Sequence, residues 1–339
     1  MVQCSRTPRG SELWPRGGVR TFPPLFALRS EIGRWLFGYR QEIWRAIGAS
    51  EVLSGEGSRV ATRVMVLVEN TAGAMFRVRA EHGLAFFVEH DGHAFLFDTG
   101  QRGTVVENAR VLGVDLGRIE AILLSHGHYD HTGGLRAVLE ELGRGISVYG
   151  HPDVFSSHYV RDSRREPLLR YIGIPFRKEE LASLGAEFRL GREAVEVFPG
   201  VWWSGEVPRR TEFEEGDPRM VVLEEGGERE DPILDDASVY LVTPEGLVIL
   251  LGCAHAGVIN IVEHARSVTG VSRVRAILGG THLGSVPESQ VRATLEALEG
   301  LDFDLLAANH CTGLEIEAEL RHRFGSRFAF APAGAVFTF

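Results

Sequence analysis

The run Ser125-His126-Gly127-His128-Tyr129-Asp130-His131-Thr132-Gly133-Gly134 places four metal-capable side chains, His126, His128, Asp130 and His131, in one short turn. It directly follows the apolar segment Ile119-Glu120-Ala121-Ile122-Leu123-Leu124. Imidazole and carboxylate donors suit Zn(II), Mn(II) or Fe(II). Burying so many uncompensated polar groups together costs several kcal/mol unless cations or partners meet them. A turn this short cannot aim all four side chains at one small ion, because successive residues point in different directions. The expectation is therefore two divalent ions a few ångströms apart, sharing a water or hydroxide. Such pairs stabilise both the attacking and the leaving oxygen in displacement at phosphorus or carbon. Three more histidines, His255, His282 and His310, each come just after an apolar segment that reads as a strand. Ligands of α/β sheets gather at those carboxyl ends.

The elements that must position these groups are legible from hydrophobic patterning. Val64–Val68 reads as a buried strand, and Leu84–Val88 with Ala94–Phe97 reads as a hairpin around Asp91-Gly92. A helix over Val105–Leu112, the strand over 119–124, a helix opening at Gly133 and running to Leu142, and a strand over Ile146–Tyr149 follow. His151 to about Asp236 reads as irregular, a covering insertion near 151–235 beside the site. The last third repeats the early logic. Val239–Val242 and Leu247–Leu251 form a second hairpin, followed by helix Val258–Val268, strand Val274–Leu278, helix Pro287–Leu298 and strand Leu305–Ala308. Residues 1–60 differ from 61–339: an Arg-, Pro- and Gly-rich start reads as disordered. Leu25–Ile47 then carries the spacing of an amphipathic helix. That helix packs on the body or on a second subunit, which leaves a homo-oligomer open, or it meets a membrane surface or another partner. Two sheets face to face with helices outside is the simplest packing of these halves.

The 339 residues are 44% hydrophobic and 24% charged, with a formal net charge of -10. That balance argues against nucleic acid as a partner, which needs a basic face. Cys4, Cys253 and Cys311 form no Cys-x-x-Cys pair, so a reducing, cytoplasmic setting is expected. No apolar run reaches the roughly 18 residues needed to span a bilayer, so no membrane is expected. The chain holds no phosphate loop and no nucleophile elbow.

The turn His126-x-His128-x-Asp130-His131 after an apolar strand resembles the signature of the metallo-β-lactamase-fold hydrolases, and Phe97-Asp98-Thr99-Gly100 is similar to another element of that superfamily. The resemblance covers about residues 62–339 and implies a four-layer αββα sandwich of metallo-β-lactamase type. Gly252-Cys253-Ala254-His255-Ala256-Gly257, Gly279-Gly280-Thr281-His282 and His310-Cys311-Thr312-Gly313 resemble one subgroup, named for 7,8-dihydropterin-6-methyl-4-(β-D-ribofuranosyl)aminobenzene 5'-phosphate synthase. Carried over, the resemblance implies that His126, His128 and His255 hold one ion, and that Asp130, His131 and His310 hold the other. The superfamily's bridging aspartate is replaced here by Cys253, either a bridging thiolate or a small packed residue beside a ligating His255. Asp98 would orient a ligand imidazole. His282 is open as a metal ligand, a proton donor to the leaving group or a substrate contact.

The expected activity is a hydroxide activated by two metal ions attacking a phosphoester or related small molecule. The subgroup implies an alternative, transfer joining a dihydropterin diphosphate to ribofuranosylaminobenzene 5'-phosphate. A metal-dependent ligand-binding or sensor module with little turnover is the third reading. Tyr159, Arg161, Arg164, Arg165 and Arg170 offer phosphate contacts or form a solvated charged loop. Trp202, Trp203 and Glu206 either line a pocket for a flat ring or belong to the core.

Overall fold

The computed structural model describes residues 62–73, 77–162, 168–224 and 226–339. The expected disordered start, the amphipathic helix over Leu25–Ile47, Cys4, Arg164 and Arg165 lie outside them.

The first half runs β1 (Thr62–Val68), β2 (Ala85–His90), β3 (His93–Phe97), α1 (Thr104–Leu112), β4 (Ala121–Leu123), α2 (Tyr129–Thr132), α3 (Leu135–Leu142) and β5 (Ile146–Gly150). The middle holds β6 (His158–Arg161), β7 (Leu169–Tyr171), α4 (Lys178–Ser183), β8 (Ala186–Leu190), β9 (Val195–Phe198), β10 (Val201–Trp203), β11 (Met220–Glu224) and β12 (Gly227–Glu230). The last part is β13 (Ser238–Thr243), β14 (Gly246–Leu251), α5 (Val258–Thr269), β15 (Val274–Gly280), α6 (Glu288–Glu299), β16 (Phe303–Asn309), α7 (Leu314–Phe324) and β17 (Val336–Thr338).

Two large sheets result. One has strand order β17-β1-β2-β3-β4-β5-β8 and the other β16-β15-β14-β13-β10-β9. Their strands are apolar on both faces because both faces are covered. In β1, Val64 and Val66 enter the core between the sheets, while Met65 and Leu67 pack outward under α1. In β14, Val248 and Leu250 face the inter-sheet core, and Leu247, Ile249 and Leu251 face α5 and α6. Helix–sheet–sheet–helix layering follows from that two-sided pattern. Phe86 and Phe97, stacked at 6.3 Å between ring centroids, anchor the inter-sheet core. Full burial of each such ring is worth about 2–3 kcal/mol. The two-residue turn between β2 and β3 has Asp91 at φ 46 and Gly92 at φ 87, the left-handed pair that a tight hairpin needs.

The stretch from His151 to Asp236, expected to be irregular, holds seven strands among its described residues. Strand β8 joins the first sheet, and β9 and β10 join the second. A third sheet, of order β12-β11-β6-β7, stands apart. Exposed charge on successive positions, as in Gly227-Glu228-Arg229-Glu230, masked the strand pattern. Helix formation also begins earlier than expected. The short α2 carries Asp130 and His131, and α3 starts only at Leu135.

In the first sheet β3, β4, β5 and β8 run parallel, and in the second β14, β15 and β16 run parallel. Both sets point their carboxyl ends at one cleft. Among the described residues no helix is long and apolar enough to cross a membrane.

Candidate metal centre

Each strand end delivers a specific group. Strand β3 ends at Asp98, which is fully buried with φ 60. Its Oδ1 accepts the Ser125 N–H at 2.7 Å, and its Oδ2 accepts the Ser125 hydroxyl at 2.7 Å. The same Oδ2 lies 2.7 Å from His131 Nδ1. Beyond β4, the Gly127 N–H donates to Asp235 Oδ2 at 2.6 Å, pinning the middle of the turn. His126, His128, Asp130 and His131 are all buried. His255 follows β14, His282 follows β15 and His310 follows β16, each also buried. The backbone at Ala254 (φ 56), His282 (φ 55) and His310 (φ 55) is left-handed, an uncommon choice for non-glycine residues that concentrates at functional sites.

The groups that were far apart in sequence converge. The ring centroids of His126 and His255 are 4.9 Å apart, those of His128 and His255 5.1 Å, and those of His131 and His310 4.9 Å. Donor atoms of His126, His128 and His255 lie within 4.8 Å of one another, as do those of His126, His131 and Cys253. His82, Asp130 and His310 form a further such group, as do Cys253, His282 and Cys311. Asp130 Oδ2 is 3.4 Å from His310 Nε2 and 3.2 Å from His82 Nε2. Cys253 Sγ lies 3.1 Å from His131 Nε2, inside the cluster.

The hydrogen-bond network fixes which nitrogens are left to bind. Ser125 gives its proton to Asp98, so His126 Nδ1 must donate to Ser125 Oγ at 2.8 Å, leaving Nε2 unprotonated, 2.9 Å from His128 Nδ1. Asn70 Oδ1 accepts from Gly83 N, so His310 Nδ1, 3.0 Å away, is also a donor and its Nε2 is bare. That Nε2 sits 3.1 Å from His131 Nε2, whose ring has turned Nδ1 to Asp98. Two such nitrogens can face each other with a shared proton or a metal cation between them. His255 Nε2 and both ring nitrogens of His282 have no hydrogen-bond partner although buried. Buried polar atoms are almost always satisfied, so these orphans argue for cations. The donor set fits divalent metal ions.

Electrostatics agree. Burial, with neighbouring imidazoles, drives His126 and His255 well below the ordinary histidine range and His128 to about 3. These rings are neutral, as metal ligands must be. Burial raises Asp130, but His310 and His82 outweigh it and hold the carboxylate ionised. Burial lowers His131, but Asp98 outweighs it and pulls the ring upward, toward carrying positive charge.

Behind His128, His158 contacts Asp231 Oδ2 at 2.6 Å and the Asp153 carbonyl at 3.0 Å. Burial lowers His158, yet Asp235 and Asp231 outweigh it and lift it to about 9.

The cleft holds about 410 Å³ and has Arg161, Arg170 and Arg219 in its walls, with Tyr129 and Met220 beside them. Arg219 is tied to Asp217, and Arg161 to Glu228. Arg170 makes no ion pair with a described residue. Tyr159 packs on Tyr171 at 5.3 Å and is not a wall residue. Trp203 is core, its Nε1 donating to the Leu124 carbonyl at 2.9 Å, and Trp202 packs on the outer core of the second sheet. Glu206 ties His151 to Arg192 instead of lining a ring pocket.

Several supports carry no local signal. His82, Asn70, Asp217, Asp235 and His158 come from loops and strands whose composition is ordinary. Cys311, by contrast, stands beside His310 in the His-Cys-Thr-Gly turn and was legible.

A family model described as the metallo-beta-lactamase superfamily matches residues 78–201. A 7,8-dihydropterin-6-methyl-4-(beta-D-ribofuranosyl)-aminobenzene-5'-phosphate synthase of Methanocaldococcus jannaschii is 29% identical over 82% of this chain and 96% of its own length. A second, uncharacterized protein of that organism is 31% identical over 76% of this chain and 93% of its own length. A crystal structure of a metal-dependent hydrolase of the beta-lactamase superfamily superposes with a TM-score of 0.67 at 26% identity, covering 81% of this chain and 98% of that one.

Proposed function

Because this chain belongs to the metallo-beta-lactamase superfamily, we propose that it is a metal-dependent hydrolase of a phosphorylated small molecule. The observation that carries this reading is the convergence of buried imidazoles, several with unpartnered nitrogens, and one ionised carboxylate at an arginine-walled cleft. His126, His128 and His255 would hold one divalent ion. His131, Asp130 and His310 would hold the second, with Cys253 Sγ reaching between them. Bound there, such ions supply Lewis acidity toward a phosphoryl oxygen and lower the pKa of water.

The chain's own groups do the rest. Asp98 fixes the His131 ring and, through Ser125, the tautomer of His126. Asn70 does the same for His310. Arg170, free of an ion-pair partner among the described residues, meets the substrate's phosphate, where a guanidinium binds two oxygens at once. Burial raises the Tyr129 phenol, which therefore keeps its proton and stays a donor at the cleft wall.

The test uses the full chain stripped of metal and then reloaded with Mn(II) or Zn(II). It is assayed on phosphodiester, phosphomonoester, lactone and thioester substrates. Turnover of a phosphate ester only after reloading supports the reading. Full activity in the stripped protein contradicts it, and a reloaded protein that turns over none of them points to a ligand-binding module.

One observation favours a second reading. The relative that matches over 82% of this chain is named as a synthase. In that case the cleft would accept two substrates and stabilise a diphosphate leaving group. Incubation with a pterin diphosphate and a ribosylaminobenzene phosphate in isotope-labelled water separates the two: label in the product supports hydrolysis, and a joined product supports transfer.

A further inference from the structure

Beside the proposed pair of sites lies a second kind of donor set. Cys253, His282 and Cys311 come from three different strand ends, and their Sγ, ring-nitrogen and Sγ atoms lie within 4.8 Å of one another. Two of them are buried and Cys311 is half-buried. Cys253 is 4% exposed and His282 9% exposed. Both His282 ring nitrogens lack a hydrogen-bond partner, and the ring lies 4.1 Å from that of His255, centroid to centroid. The His282 backbone N–H points at Cys311 Sγ at 3.3 Å, an arrangement that favours a thiolate. The Cys311 sulfur is seated against Gly280, where a Cβ would come within 2.6 Å of it. Strand β15 therefore leaves room for that sulfur and for nothing larger. The left-handed backbone at His282 and at His310, the neighbour of Cys311, turns both segments toward it.

Two thiols and one imidazole are a softer set than the imidazole–carboxylate pair next to them. Sulfur-rich, four-coordinate surroundings select Zn(II) over Mn(II) or Mg(II). We propose that Cys253, His282 and Cys311 form a third, zinc-selective site that opens onto the same cleft. Cys253, 3.1 Å from His131 Nε2, links it to the pair. His282 is then a zinc ligand and not a proton donor. Asp217 Oδ2 lies 3.8 Å from His282 Nε2. On binding, each thiol loses its proton to solvent and no oxidant or reductant is needed.

The proposal goes beyond the pair of sites and is tested without an activity assay. The full chain is loaded with Zn(II), freed of excess ion by dialysis and analysed for metal per chain, and a parallel sample is loaded with Co(II) for its thiolate-to-cobalt absorption. The wild type should carry one ion more than the pair accounts for. Cys311→Ser should lose one ion and most of the absorption band. His126→Ala should lose ions from the pair while keeping the Cys311-dependent band, so failure of the pair and failure of this site give different patterns. If Cys311→Ser does not fold, peptide-mapped alkylation of the wild type serves instead: Zn(II) should protect Cys311, and Mn(II) should not. An unchanged metal count and band in Cys311→Ser, or equal alkylation of Cys311 with and without zinc, would overturn the proposal.

Discussion

The two halves of the cleft supply donors in different ways. The turn after β4 provides His126, His128, Asp130 and His131 from one continuous segment, and buried hydrogen bonds to Asp98, Ser125 and Asp235 brace Ser125, His126, Gly127 and His131. The second sheet provides His255, His282 and His310 singly, each from its own strand end. There the backbone carries more of the geometry, with left-handed residues at 254, 282 and 310, and side-chain bracing gathers on His310 through Asn70 and Glu69. The contrast teaches that a dense motif needs outer support to separate its crowded rings, whereas a lone residue at a strand end is aimed first by its backbone turn. Strained backbone conformations cost about 1–3 kcal/mol each and persist where the surroundings over-determine them.

The largest effect expected is from His131→Ala, which removes the ring that faces His310, Cys253 and Asp98 together. Metal-dependent turnover should fall by more than the ~100-fold that loss of an outer support costs at metal sites. Steady-state rates at saturating Mn(II) or Zn(II) measure it, and a rate near wild type would break the comparison at its strongest point.

Asp98→Asn sharpens it. The variant keeps the shape but loses the charge that orients His131 and, through Ser125, His126. Metal affinity should drop about 10–100-fold, read by competition with a chelator. Equal affinity would mean that the turn keeps its geometry without the Asp98 charge.

Gly252→Ala probes where the halves touch. A Cβ there would overlap the Oγ and Cβ of Ser125. Overpacking of this kind costs about 1–3 kcal/mol, so the midpoint of denaturant unfolding should fall. An unchanged midpoint would show that the sheets part easily at the cleft.

Glu317→Gln gives the smallest change and concerns the second sheet. Burial, with Glu69 beside it, pushes Glu317 up to about 7. Because the folded form holds its proton more tightly than the unfolded chain, the cost of ionising it builds as pH rises from the ordinary carboxylate range to about 7 and is constant above that. The variant should therefore be more stable above pH 7, by on the order of 1 kcal/mol, with no gain in acid. Glu69 accepts the His310 N–H at 2.9 Å, so its relief should leave the metal count intact. Urea melts at two pH values test the sign; equal stability at both would contradict it.

Much of this was legible in the chain. The four-donor turn announced itself because those residue types at that spacing have no use in a core. His255, His282 and His310 were legible by position, each after an apolar strand. The two-sided apolar runs of β1, β2 and β14 required covering on both faces, hence four layers. The supports were not legible. Asp235 braces Gly127 across 108 residues and Asn70 reaches His310 across 240, and no local pattern encodes such contacts. The third sheet was missed because its strands β7 and β12 are exposed and charged, with no hydrophobic alternation to read.

Anomalous diffraction from crystals of the metal-loaded full chain tests the central claim most directly. The account predicts one peak among His126, His128 and His255 and another among His131, Asp130 and His310. Peaks only at surface carboxylates, or none in the cleft, would contradict it.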